Sequence, residues 1–282
     1  MNKIGLIVTS TSGIDYENIN FNLKVLRLTL IVDDKEYIDY KEMKSNEFYN
    51  TLLKNPDINI KTSQPSIGVI EKLYQEYIDE GYNKIVVITL SKALSGTYQA
   101  CLLAKNQFKN VDIEIIDTNT ISIGELYLAN ETIKMINNNY EFKDIVNKLN
   151  ILKLNINIYL VVDTLKYLIK NGRLSNTKGF IANLLKIKPI LTVTNTGNLK
   201  QVEVVRTSTK ALDKMIKLII NKTKNINCEI YIAYSNNYNK ALKIKDLLLN
   251  ETKHNIKLIP LTPVIGVHAG YNCLGIGYVK LD

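Results

Sequence analysis

The sequence predicts an α/β protein in two parts: a mostly parallel, doubly wound sheet, then an α+β unit. Three observations predict it. The chain has 282 residues, 46% of them hydrophobic and 22% charged, the balance of a globular protein with a sizeable core. The first half alternates short apolar runs with helix-spaced segments, as βα units do. In the second half a hairpin signal breaks that alternation.

In chain order, residues 4–9 form a short apolar strand that Thr9, Ser10 and Thr11 end at once, which reads as a first strand and not a secretory signal. Residues 24–32 read as the second strand, with Leu26, Leu28 and Leu30 on one face. Ile67, Ile70, Leu73, Tyr74, Tyr77 and Ile78 recur at helical spacing, with Gly81 as the stop. Residues 84–90 are a continuous apolar run, as for a strand covered on both faces, and 113–116 another. A strand at 156–162 opens the second unit, so the boundary is expected near 155, giving domains 1–155 and 156–282. Helical stretches follow at 165–169 and 178–185. Residues 187–194 and 199–206 flank the turn Asn195–Thr196–Gly197–Asn198 as a hairpin. In its second arm Val202 and Val204 oppose Gln201 and Glu203, and Pro189 suits an edge position. A helix at 209–223, a strand at 228–234, a helix at 238–249 and strands at 256–259 and 276–281 complete the chain.

Composition narrows the function. No apolar run approaches the roughly 18 residues of a membrane span, and a cytoplasmic location is expected. Cys101, Cys228 and Cys273 are odd in number, far apart and without C-x-x-C spacing, so buried reduced thiols are expected. With His254 and His268 as the only histidines, no metal and no cofactor is expected. The net charge of +9 fits an anionic partner or simply a Lys-, Asn- and Ile-rich composition. It leaves room for a transient membrane-surface contact. Without a dense Lys/Arg block with interleaved aromatics, it does not support nucleic-acid binding.

Four stretches carry candidate chemistry. In 61–66, Thr62 and Ser63 precede Pro65, which fits the first turn of a helix. Backbone N–H groups there attract anions, although Ser63 or Ser66 is equally a plain N-cap worth about 1 kcal/mol. In 91–99, Ser95 and Gly96 follow the strand ending at Leu90, where a loop at the carboxyl end of a parallel strand opens a helix. Gly96 would let a ligand approach the backbone, and Ser95 is either a ligand hydroxyl or a cap. His268 sits among small residues at 266–270 and is either a ligand contact or a structural histidine. In 167–175, Gly172 ends a helix, and Arg173 either grips an anion bidentately or makes a surface ion pair; Arg206 has the same two readings.

Taken in order, Thr62–Ser66, Leu94–Gln99, Asn171–Ser175, Lys188–Leu191 and Val267–Gly270 resemble the DegV family of bacterial fatty-acid-binding proteins, and the likeness runs over nearly the whole chain. The resemblance implies two domains closing over a long acyl chain. It assigns the carboxylate to Thr62 and Ser95, with the Gly96 N–H as a further donor. It puts His268 near the headgroup, and Ser63, Arg173 and Arg206 toward the headgroup or a partner. It further implies a carrier, not an enzyme, that hands its fatty acid to a fatty acid kinase for acyl-phosphate formation. The chain departs from the family pattern at Ser10, where an Asp is usual, at Asn171–Gly172 in place of paired glycines, and at Ala269–Asn272 in place of a turn rich in glycine and proline.

The chief alternative is an acyl hydrolase or transferase with Ser95 as nucleophile and His268 as base. Against it, Ser95 lacks the G-x-S-x-G elbow and no acid is evidently placed to orient His268. A nucleotide-binding module has no Walker A or G-x-G-x-x-G sequence to stand on.

Overall fold

The computed structural model describes residues 3–174 and 187–281. The first unit runs β1 (Ile4–Thr9), β2 (Leu23–Leu26), β3 (Thr29–Val32), β4 (Lys35–Ile38), α1 (Ser45–Lys54), β5 (Ile60–Ser63), α2 (Ile67–Asp79), β6 (Lys84–Thr89), α3 (Thr97–Lys105), β7 (Asp112–Asp117), α4 (Ile123–Asn137) and α5 (Phe142–Leu152). Its main sheet has the order β2-β1-β6-β7, all parallel. Strand residues alternate between two helix layers. Ile7, Ile85 and Val87 pack with Ile70 and Tyr74 of α2 and Cys101 of α3. Leu6, Val8 and Val86 pack with Leu126 of α4 and Leu149 of α5. The sheet is therefore doubly wound, and the near-continuous apolar strands are explained by burial on both faces.

The strand expected over 24–32 is two strands. β2 pairs with β1, whereas β3 joins a separate antiparallel sheet of order β4-β3-β5. The chain changes sheets at Arg27 and Leu28. The Arg27 guanidinium grips both carboxylate oxygens of Asp15, at 2.6 and 2.9 Å, and donates to the Asp39 carbonyl. The Leu28 N–H donates to Ser10 Oγ. Leu26, Leu28 and Leu30 are all buried, so one apolar alternation serves two sheets.

The second unit runs β8 (Ile156–Val161), α6 (Lys166–Lys170), β9 (Lys188–Val193), β10 (Leu199–Val205), α7 (Ser208–Thr223), β11 (Cys228–Tyr234), α8 (Tyr238–Thr252), β12 (Ile256–Pro260), α9 (Pro263–Ala269) and β13 (Leu274–Lys280). The helix expected at 178–185 lies outside the described residues. The sheet order is β10-β9-β8-β13-β11-β12, antiparallel except for β11 and β12, which are parallel and joined through α8. Pro189 does not mark an edge, because β9 lies between β10 and β8. It sits one residue beyond the last β8–β9 pair, Val161 with Ile190, so its missing N–H breaks no ladder there. The edge is β10, whose Val202 and Val204 face outward at 47% and 38% exposure.

α7 and α8 cover one face of this sheet, with Met215, Ile219 and Ile244 against Ile230 and Ile276. The other face turns toward the first unit. One hydrophobic cluster runs through both, joining Val8, Phe48 and Leu126 to Ile158, Ala233 and Val267. α9 packs on α1, β3 and β5, and Ser45 and Tyr49 of α1 both donate to the Leu261 carbonyl. Among the described residues the cysteines are buried, and no helix is long and apolar enough to cross a membrane.

Candidate functional site

The carboxyl ends of β1, β6 and β7 open onto the free face of the second sheet. A cavity lies there, with about 850 Å³ of space between atoms, its open mouth included. It is at the position where α/β sheets bind ligands. Its body is apolar: Leu90 and Ile123 face Ile158, Leu160, Val193 and Ala233. Its polar lining includes Thr62, Ser95, Arg173 and His268. Four of the residues singled out from the sequence are thus brought together from four separate places in the chain.

Thr62 is not at a helix start. It lies on β5, opposite Leu30 of β3. α2 begins at Ile67 with Ser66 as its N-cap, so Pro65 precedes the cap and does not occupy the first turn. Thr62 Oγ1 is 2.9 Å from Nε2 of His268, and His268 Nδ1 is buried with no partner among the described residues. Burial, aided by the positive charge of Arg173, pushes the His268 imidazole down to about 3, so it is neutral near pH 7.

Arg173 is aimed by the end of α6. Asn171 caps the helix and Gly172 takes φ +68°. The Arg173 N–H reaches the Leu168 carbonyl and the Gly172 N–H that of Ile169, a Schellman pair that glycine permits at no steric cost. Asn171 Nδ2 donates to the Tyr167 and Val267 carbonyls, fixing α6 against the turn of α9 that carries His268. The Arg173 guanidinium donates to the carbonyls of Leu94 and Asn171. Among the described residues no carboxylate pairs with it. A half-buried cation facing an apolar cavity without a counter-ion is a place for an anionic group.

Ser95 is adjacent to Leu94 and so lies beside that arginine. α3 starts at Thr97 with Gly96 as the N-cap, and Ser95 Oγ bonds the Thr97 hydroxyl and N–H. Gly96 does not line the cavity. A Cβ there would fall 2.0 Å from Gln64 Oε1, so the group that approaches its backbone is a side chain from the loop after β5. Ser63 and Arg206 are exposed and away from the cavity. Ser95 and His268 are not hydrogen-bonded to each other, as a nucleophile and its base would be.

Over residues 3–281 the chain matches the family model described as "Uncharacterised protein, DegV family". The chain belongs to the DegV family. A DegV domain-containing protein of Clostridium acetobutylicum is 36% identical over 99% of this chain and 100% of its own length. One from Staphylococcus aureus is 34% identical at the same coverages. Among solved structures, the fatty acid binding DegV family protein of Streptococcus agalactiae superposes with a TM-score of 0.89 at 27% identity, covering all of both chains. DegV of Bacillus subtilis, a fatty acid binding protein, gives 0.87 at 26% identity over 99% of this chain and all of that one.

Two buried acids escaped the sequence reading of this DegV protein. Glu125 accepts from the hydroxyls of Thr9 and Thr11 and, at 2.9 Å, from the Ser122 N–H. Burial raises its carboxyl to about 8. Ser122-x-x-Glu125 is a capping-box pattern that the sequence displays. Asp39 accepts from the Val264 N–H at the start of α9, and burial raises it to about 7. Ser10 lies against that same carboxyl and offsets part of the shift.

Proposed function

We propose that this DegV protein binds a long-chain fatty acid in the cavity between its two sheets and holds the carboxylate with Thr62 and Ser95 beside Arg173. The observation that carries the proposal is an unpaired, half-buried arginine at one end of an apolar cavity, next to two hydroxyls. The fatty acid binding relatives from Streptococcus agalactiae and Bacillus subtilis support the ligand class.

The physics divides between tail and head. Burying a chain of about sixteen carbons gains on the order of 12 kcal/mol gross at roughly 0.8 per CH₂, and ordering and association offset much of it. A buried carboxylate without partners is costly, so the head sets selectivity. The neutral His268 contributes through Thr62. An orphaned buried N–H costs more than an orphaned lone pair, which favours the tautomer with the proton on Nε2 and donated to Thr62 Oγ1. Thr62 then keeps its own proton for a ligand oxygen.

The cavity binds and does not turn over its ligand in this reading, and a head held at one end over a buried tail suits presentation to a fatty acid kinase. Thr62→Ala or Ser95→Ala should weaken a fatty acid by about tenfold or more, and the alcohol of the same length far less, since a charge-assisted bond contributes about 1.5–3 kcal/mol. Equal losses for acid and alcohol would remove the carboxylate from these residues. Acyl-phosphate production when the loaded protein meets a fatty acid kinase tests the presentation step. Steady hydrolysis of an activated acyl ester would instead favour the Ser95 and His268 enzyme.

A further inference from the structure

One polar group in the cavity is not used by the headgroup site. Ser122 precedes α4, lines the cavity and is 6% exposed; its hydroxyl oxygen faces the Glu125 N–H in the capping box, and no acceptor takes its proton among the described residues. Its backbone takes φ +54°, a region a serine enters at a cost and glycine enters freely. A strained position that glycine would fill more easily is thus occupied by a hydroxyl whose proton has no acceptor.

Its neighbourhood is equally specific. Ile123, the next residue, places its side chain 3.2 Å from where a Cβ on Gly277 would lie, and Gly277 pairs with Ile158 at the centre of the second sheet. Ser122 therefore lies along the body of the cavity. The residues of the polar end come instead from β5, α6, α9 and the loop after β6. Thr11, at the end of β1, also lines the body. The two are tied to opposite oxygens of one carboxyl group: Thr11 Oγ1 donates to Glu125 Oε1 at 2.8 Å, and the Ser122 N–H to Oε2 at 2.9 Å. Thr11 has spent its proton on Glu125 and offers lone pairs, while Ser122 has an O–H to give.

We propose that Ser122 and Thr11 form a polar subsite within the acyl tunnel that receives a hydroxyl group carried on the chain, so that the cavity selects a fatty acid hydroxylated at one mid-chain position. An alcohol donates one hydrogen bond and can accept others, and the pair supplies an acceptor and a donor. A plain methylene there leaves the Ser122 O–H proton without an acceptor in an apolar wall. The inference rests on the fatty-acid reading of the same cavity.

The test is displacement of a fluorescent fatty acid by octadecanoic acid and by its monohydroxy regioisomers. One regioisomer, or an adjacent pair, should bind about tenfold tighter than the others and at least as tightly as the parent, the size expected for one to two hydrogen bonds. Ser122→Gly, which relieves the backbone, and Thr11→Val should each abolish that preference while leaving the parent acid within about twofold. A uniform loss for every regioisomer overturns the subsite and leaves fatty-acid binding intact, as does a variant that shifts parent and hydroxy acids alike. Failure of octadecanoic acid and all its derivatives to bind removes the fatty-acid reading and the subsite with it. The regioisomer series on the unaltered protein decides the matter even where a variant does not fold.

Discussion

At one end of the cavity four polar side chains converge from β5, the loop after β6, the end of α6 and α9; its body is walled largely by Ile158, Leu160, Val193 and Ala233 from a single sheet face. The polar end depends on loops and caps agreeing in position. The body depends only on strand alternation. The contrast teaches that affinity and selectivity are separable here, since one sheet can be greasy on one face without any of the four head residues being in register.

That separation can be broken most strongly from the body. Ala233 is a small residue in the wall, and Ala233→Phe should fill the space and lower fatty-acid affinity by roughly a hundredfold or more, acid and alcohol alike, since each displaced CH₂ forfeits about 0.8 kcal/mol. Isothermal titration with both ligands reads it. A smaller and opposite-natured effect is expected from Arg173→Met. It keeps the apolar stem but removes the charge, so acid binding should fall by about tenfold to a hundredfold while the alcohol is unchanged. If the alcohol falls equally, the head and body are one unit.

The smallest effect concerns stability. Asp39 titrates near 3.8 when unfolded and at about 7 when folded. Between those values the folded state keeps a proton that the unfolded state has lost, so stability declines as pH rises through the window. His268 acts in the opposite sense, costing stability as pH falls from 6.5 toward 3. Asp39→Asn should therefore remove a decline in unfolding free energy of up to about 1.4 kcal/mol per pH unit between pH 4 and 7, leaving the like-signed decline from Glu125, raised to about 8, and the opposing His268 limb in place. An unchanged slope would mean the carboxyl is ionised in the folded protein.

The strands that wall the cavity were legible as apolar periodicity; Thr62, Ser95, Arg173 and His268 each had a plain structural reading beside the ligand one, and only the resemblance to the DegV family joined them into one set. What was hidden depended on partners far away in sequence. Residues 24–32 alternate without a break, and only the pairing of Leu30 with Thr62 shows that the strand changes sheets. That pairing also makes Thr62 a strand residue, although a helix begins a few residues later. Gly96 was read as a seat for ligand because the side chain that fills the space, Gln64, approaches from another loop. Ser122 and Thr11 resemble ordinary caps until the cavity is seen to run past them. Glu125, three residues beyond Ser122, was the one miss whose signal was local.

The turn of the β9–β10 hairpin takes Gly197 so close to Ser91 and Asn119 that a Cβ would fall 1.9 Å from the serine hydroxyl. Val193 and Leu199, on the arms of that hairpin, line the cavity. Both pack only at the rim of the hydrophobic cluster common to the two units, and beyond that rim the wall rests on a turn set against two loops. A seam of that kind parts more readily than a core, and it governs how long a passenger stays more than how tightly it sits. A methyl group at Gly197 would prop the seam ajar and shorten the stay.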